Sequence, residues 1–237
     1  MNLDRIHIAL VVLFSVLVLA SCAPVPRDFY KPLHEEGTLI SRGCGSSGPP
    51  DTIKIFLAEG VEIQMWASST DSNTELDNFY LFSSINAPEG VELQLDRDYI
   101  IVKDNNTSNS WQLNIDFLST NKKNYLGSPN SILKRSYQGL SEDLIERVKN
   151  SDQENGYIRV PALSKISGKT YSYSVLFGGE RYFNTGMSFS ISTRKILSRL
   201  QSFSVSYPEI MINGTKISLD EIRFDRVQYI GIDPLNC

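Results

Sequence analysis

The chain has 237 residues, 41% of them hydrophobic and 21% charged, with a formal net charge of −4. That much apolar material excludes wholesale disorder and suits one or two packed domains, while the acidic balance argues against a nucleic-acid partner. The two histidines, His7 and His34, both precede the part that reads as folded. A Ser-His-Asp triad, a Cys-His pair or a histidine-rich zinc site has almost no material there, and neither cofactor nor metal is expected.

Residues 8–20 form an apolar run broken only by Ser15. A bilayer-spanning helix needs roughly 20 apolar residues, so this shorter run reads as a signal segment rather than a permanent anchor. Immediately after it, Leu19-Ala20-Ser21-Cys22 resembles the lipobox of bacterial lipoproteins. The resemblance covers the signal and the cleavage point alone. It implies that residues 1–21 are removed as a signal peptide and that Cys22 becomes the lipidated first residue. Each buried acyl CH₂ contributes about 0.8 kcal/mol, so two or three chains hold a protein on a membrane stably. Ala23 follows the cysteine, which in enterobacterial lipoproteins goes with sorting to the outer membrane. The implied location is the bacterial cell envelope, lipid-anchored at the outer membrane and facing the periplasm. One departure is that Asp4 neutralises Arg5 in the segment before the run, where signals usually carry net positive charge.

Residues 22–50 are rich in Pro, Gly and Ser, as in APVPRDFYKP and RGCGSSGPP, and read as a tether. Besides Cys22 the chain holds only Cys44 and Cys237. In an oxidising compartment these two are candidates for a disulfide, which in the chain-entropy model would stabilise by up to about 5 kcal/mol.

Residues 51–120 read as an acidic β module. EGVEIQM at 59–65 and EGVELQL at 89–95 are near-copies: Val61, Ile63 and Met65 alternate with Glu62, Gln64 and Trp66, and Val91, Leu93 and Leu95 with Glu92, Gln94 and Asp96. Period two, launched from a Glu-Gly turn, predicts half-buried strands. No third copy follows, so a solenoid is not expected, and the copies read as equivalent strands of one sandwich. Further strands are expected at 78–82, 99–102 and 111–117.

Residues 121–155 read as a connector with a short helix at 141–150, capped by Ser141 and stapled by Leu140 and Ile145, with Glu142 and Asp143 in its first turn. Residues 156–237 read as a second, mildly basic β module. In it Tyr171-Tyr173-Val175-Phe177, a Gly178-Gly179 turn and Met187-Phe189-Ile191 alternate, Asn213-Gly214 predicts a hairpin turn, and 194–203 suits a second short helix. The fold class expected is mainly β, with antiparallel β-sandwich-like modules and one or two short helices.

Charge is uneven: 51–120 holds 3 basic against 12 acidic residues, and 121–237 holds 16 against 11. An acidic module can steer a basic protein partner, which makes Glu62, Glu92, Asp96 and Asp98 candidate contact residues; plain solubility explains the same charge. Asp96, Asp98 and Asp104 carry oxygens of the kind calcium takes, although polar turns flanking a strand account for them more simply. Asn105-Asn106-Thr107 and Asn213-Gly214-Thr215 match glycosylation acceptors, a pattern short enough to arise by chance. The functional expectation is a lipid-anchored outer-membrane lipoprotein acting as a non-catalytic protein-binding module, in immunity or in secretion or envelope assembly. The rivals are a periplasmic hydrolase using carboxylate or Ser/Lys chemistry and a structural surface or adhesion component. Cys22→Ser is expected to abolish palmitate labelling of the cell-expressed protein while leaving its fold intact; equal labelling of both proteins would remove the lipoprotein reading.

Overall fold

The structure is a computed structural model that describes residues 25–42, 48–70, 78–134, 141–168, 170–174, 180–184, 186–194 and 197–231. Cys22, Cys44 and Cys237, the signal segment, Leu140 and the Gly178-Gly179 turn lie outside the described residues. In chain order the first strands are β1 (Val25–Leu33), β2 (Gly37–Ile40), β3 (Thr52–Phe56), β4 (Glu62–Thr70), β5 (Asn78–Asn86), β6 (Glu92–Leu95), β7 (Tyr99–Asp104), β8 (Ser110–Asn114) and β9 (Leu118–Asn121). Helix α1 (Glu142–Asn155) precedes β10 (Tyr157–Val160), β11 (Ile166–Ser167), β12 (Thr170–Ser174), β13 (Glu180–Asn184) and β14 (Gly186–Arg194). The last are β15 (Ser202–Ser206), β16 (Ile210–Ile212), β17 (Thr215–Ile217) and β18 (Ile222–Gly231).

The chain is mainly β and its strand pairs are antiparallel, in a sandwich-like arrangement, as the alternation predicts. A five-stranded sheet runs β1-β18-β15-β7-β8 and a seven-stranded sheet runs β10-β9-β14-β5-β4-β3-β2. Among the described residues a four-stranded sheet, β11-β6-β16-β17, and a two-stranded sheet, β12-β13, make up the rest. Ile63 and Met65 of β4 with Val61 just before it, and Leu93 and Leu95 of β6 with Val91 just before it, are all buried. Met187, Phe189 and Ile191 of β14 are buried in the same alternation.

Two organisational expectations are corrected. Residues 25–33 and 37–40 of the supposed tether are strands: β1 pairs with β18 along its whole length, and β2 pairs with β3. The reason is packing, because Tyr30 is 1% exposed inside the core. Nor do the two expected modules own separate sheets. β7 of 51–120 pairs with β15 of 156–237, and β5 pairs with β14. A strand's alternation is legible locally, whereas its partner is chosen by which apolar faces close the core.

The near-copies also part company. β4 enters the seven-stranded sheet and β6 the four-stranded one, so they are not equivalent strands. Their turns differ as well: Glu59 and Gly60 both take positive φ, 56° and 70°, whereas in the second copy Gly90 alone does, at 83°. The former is the I′ pattern and the latter the II pattern. The turns abut, since a Cβ on Gly60 would stand 3.1 Å from Pro88 Cγ.

Helix α1 forms with Ser141 at its N-cap position, and it runs on to Asn155, closed by Gly156 at φ 63°. At 194–203 the expected helix is reduced to one 3-10 turn, Leu197–Arg199, because β15 takes over at Ser202 and delivers Phe203 to the core. Asn213 and Gly214 make the expected hairpin turn at φ 50° and 80°. Asn213 also exchanges bonds with β6, its side-chain oxygen accepting from the Glu92 N–H at 2.9 Å and its own N–H donating to the Glu92 carbonyl at 3.0 Å.

The sheets meet across an aromatic cluster. Phe203 lies edge-on to Tyr30 at 5.1 Å and to Phe79 at 5.4 Å, and stacks on Phe224 at 5.0 Å. Such pairs contribute about 0.5–1.5 kcal/mol beyond area burial. The Tyr30 hydroxyl donates to the Leu200 carbonyl at 3.0 Å, and burial pushes its pKa up. Tyr30→Phe is expected to cost about 1 kcal/mol by removing that donor, and Tyr30→Ala about 3 kcal/mol or more by opening a cavity. Urea unfolding of both variants checks this; a neutral Tyr30→Ala would return β1 to the status of a tether.

Candidate functional site

Alternation that buries one face of the seven-stranded sheet necessarily presents the other. Its outward residues line up across the strands by register. One row is Lys54, Gln64, Ser84, Ser188, Ser119 and Arg159, each paired with the next from β3 to β10. The neighbouring row is Trp66, Phe82 and Ser190, with buried Thr52 at its β3 end, and beyond it lie Ser68, Tyr80 and Ser192.

Trp66 organises this face. Its indole stacks on Phe82, centroids 5.6 Å apart with planes 26° from parallel. The Arg42 guanidinium lies over the same indole at 3.5 Å. Arg42 is fixed in turn by Asp51, donating to Oδ2 from Nε at 3.0 Å and from Nη2 at 2.6 Å. Asp51 is itself buried, and its Oδ1 accepts from Thr52 Oγ1 at 3.1 Å. An arginine that puts two donors on one carboxylate oxygen while it stacks on an aromatic ring is held with few free rotamers. The result is a rigid ladder of Arg42, Trp66 and Phe82, next to exposed Ser190 and Ser192.

Charge stands at the margins of the face. At one side Lys54 pairs with Glu62 at 3.1 Å, and Phe56 is 61% exposed. At the other, the Arg159 guanidinium lies over Phe117 at 4.1 Å. Between them, β5 and β14 present Tyr80, Phe82, Ser84, Ser188, Ser190 and Ser192, none of them charged.

The acidic candidates do not converge on one surface. Glu62 belongs to this sheet, where Lys54 and a hydrogen bond from Gln64 Nε2 at 2.6 Å engage it. Glu92 faces Lys165 at 3.8 Å, and Asp96 faces Lys216 at 3.4 Å, both in the four-stranded sheet region. Asp98 is exposed beside β7. Arg97, between the two aspartates, donates to the Tyr207 carbonyl at 2.9 Å and so ties its loop to β15's exit. Asp104 turns both oxygens onto its own loop, accepting from the Asn106 N–H at 2.9 Å and from Thr107 Oγ1 at 2.7 Å. Those bonds lower its pKa. Among the described residues no group of three His, Cys, Asp or Glu side chains is arranged around a metal position. His34 sits in the β1–β2 turn with Nδ1 accepting from the Glu36 N–H at 3.2 Å.

The densest ionic cluster is Lys216 with Asp96 and Glu209, where Ser218 Oγ also donates to Glu209 at 2.6 Å. The lysine's hydrogen bond, aided by Ser218, pulls the Glu209 carboxyl down to about 2, and the two acids raise the lysine's pKa. Inside the core, Ser83 Oγ and the Tyr207 hydroxyl share a hydrogen bond at 2.8 Å, and burial raises the tyrosine's pKa.

Sequence reasoning put the binding residues among the acids and passed over the aromatic ladder. The available signal was Trp66 itself, which falls on the polar side of its strand with Glu62 and Gln64; Tyr80 and Phe82 do the same on β5. Comparison with protein-family models, curated proteins and solved structures finds no match to this chain.

Because Glu209 is depressed in the folded state, its contribution to stability is present above the ordinary glutamate value of 4.5 and is lost as pH falls toward about 2. Lys216→Ala is expected to move the Glu209 carboxyl midpoint up toward 4.5, read from its side-chain carbon by NMR. An unmoved midpoint would mean that Ser218 alone sets it.

Proposed function

We propose that this protein is a non-catalytic protein-binding module, held at the bacterial outer membrane through lipid on Cys22, and that the outward face of the seven-stranded sheet is its binding surface. The observation that carries the reading is the Arg42-Trp66-Phe82 ladder beside the uncharged serines of β5 and β14, with the charge of Arg42 answered by Asp51. Binding energy at protein interfaces concentrates in Trp, Tyr and Arg, with charge depleted at the centre and kept at the rim. Aromatic rings supply contact area at small entropic cost, and serines supply adaptable hydrogen bonds. The ladder also loses little freedom on binding, because Asp51 already fixes Arg42.

The acidic candidates take a secondary part in this reading. Glu62, Glu92 and Asp96 each face a lysine at 3.1–3.8 Å, so much of their charge is compensated locally. Glu62, on the same sheet, acts as a rim group that steers approach, Glu92 and Asp96 lie with the four-stranded sheet away from it, and the aromatic face supplies the affinity. Roles in envelope or secretion-machine assembly and in immunity both fit a module of this kind.

The test uses a photo-reactive residue in place of Ser190, with the same substitution at Asp220 as control, in intact cells. The expected result is one defined protein adduct at position 190, absent at 220 and lost when Trp66→Ala is added. In purified form Trp66→Ala is expected to weaken binding of that partner by about 2 kcal/mol, roughly thirtyfold, with the melting temperature nearly unchanged. Equal adducts at both positions, or full binding by Trp66→Ala, would overturn the assignment.

A further inference from the structure

Among the described residues the five-stranded sheet ends at β8, and the hydrogen bonds of its ladder say which backbone groups β8 leaves open. The Asp104 N–H donates to the Asn109 carbonyl at 3.0 Å, and the Ile115 N–H donates to the Asp98 carbonyl at 2.7 Å. Both pairs continue the register that sets Tyr99 opposite Asn114 and Lys103 opposite Ser110. In an antiparallel ladder, bonded and non-bonded pairs alternate. Trp111 and Leu113 therefore bond to β7, and the N–H and C=O groups of Ser110, Gln112 and Asn114 point to the open edge.

Nothing in the chemistry of β8 discourages a further strand. From residue 105 to 115 the sequence is NNTSNSWQLNI, without a charge or a proline. The other outermost strands of the three larger sheets are short or blunted, as edge strands usually are. β1 carries Pro26, Asp28, Lys31 and Pro32, and β10 carries Arg159 and runs into Pro161. β2 has four residues, β17 three with Lys216 among them, and β11 two.

We propose that the occupant of this edge is a second copy of the chain, paired β8 to β8 antiparallel about Gln112, which joins two five-stranded sheets into one. Charge at the two ends of the strand selects this arrangement. Exposed Lys103 stands beside Ser110 at one end, and exposed Asp98 and Asp116 stand at the other. A two-fold axis at Gln112 sets Ser110 opposite Asn114 of the second copy, so each lysine end meets an aspartate end, whereas a parallel pairing would bring like ends together. The same register puts Trp111 across from Leu113 of the second copy, a side-by-side pair that extends the apolar layer through the axis. Gln112 meets its own counterpart, which costs nothing for an uncharged side chain.

The full chain in detergent is expected to sediment as a dimer. Gln112→Pro removes a donor that faces away from β7, and Gln112→Lys sets like charges opposite each other at the axis; both are expected to give folded monomers, with the circular-dichroism spectrum of the wild type. A monomeric wild type, or a folded Gln112→Pro that remains dimeric, overturns the proposal. Should both Gln112 variants fail to fold, charge exchange carries the test: Lys103→Glu lowers the dimer fraction, and Asp116→Lys added to it restores the dimer. A dimer fraction indifferent to Lys103→Glu overturns the proposal equally.

Discussion

The contact on which the rest of this fold depends is the closure of its core by Tyr30. Tyr30, Phe79, Phe203 and Phe224 come from β1, β5, β15 and β18, positions scattered over most of the described chain, and they pack ring against ring. Neither large sheet can bury its inner face alone. The seven-stranded sheet contributes Phe79, the five-stranded sheet contributes the other three, and the tyrosine hydroxyl bonds to the Leu200 carbonyl at its far end. Because β1 pairs along β18, the start and the end of the described chain are fastened together, which is the kind of long-range pairing that costs loop entropy before its contacts repay it.

That closure decides which surfaces remain. With the inner faces committed, the outward face of the seven-stranded sheet and the open edge of the five-stranded one are set by strand alternation alone. On the first, the tie from Asp51 to Arg42 to Trp66 turns what would be a loose surface tryptophan into a fixed ladder. On the second, the ladder parity of β7 and β8 aims three residues' backbone groups away from the molecule. The two surfaces lie on different sheets, so pairing of copies at the edge does not use the residues of the aromatic face.

Electrostatics follows the same pattern of local settlement. The acidic excess of 51–120 is a fact of composition, yet the lysines that answer it come both from within that stretch, as Lys54 does for Glu62, and from beyond it, as Lys165 and Lys216 do for Glu92 and Asp96. Interleaving of strands brings those lysines alongside. Charge counted by segment overstated the field that a partner would meet, because opposite charges within a few ångströms largely cancel at a distance.

What the sequence determined by itself is everything with a short period or a local cause. Alternation identified the buried sets of β4, β6 and β14; Asn213-Gly214 specified a hairpin, since both positions need positive φ; and Ser141 with its acidic first turn marked where the helix begins, although the helix ends at Asn155 rather than at the expected residue 150. These depend on residues within a few positions of one another. Only the tertiary structure decided that Pro-rich 25–33 is a core strand, that EGVEIQM and EGVELQL serve different sheets, and that the aromatic ladder with its buried Asp51 anchor exists. In each case the deciding partner is distant in sequence. β1 is held by β18, Asn213 reaches β6, and Trp66, on β4, is pinned by Arg42 and Asp51, which precede it by 24 and 15 residues. A strand's pattern says which of its sides is apolar, but the identity of the surface that covers that side is a property of the closed core.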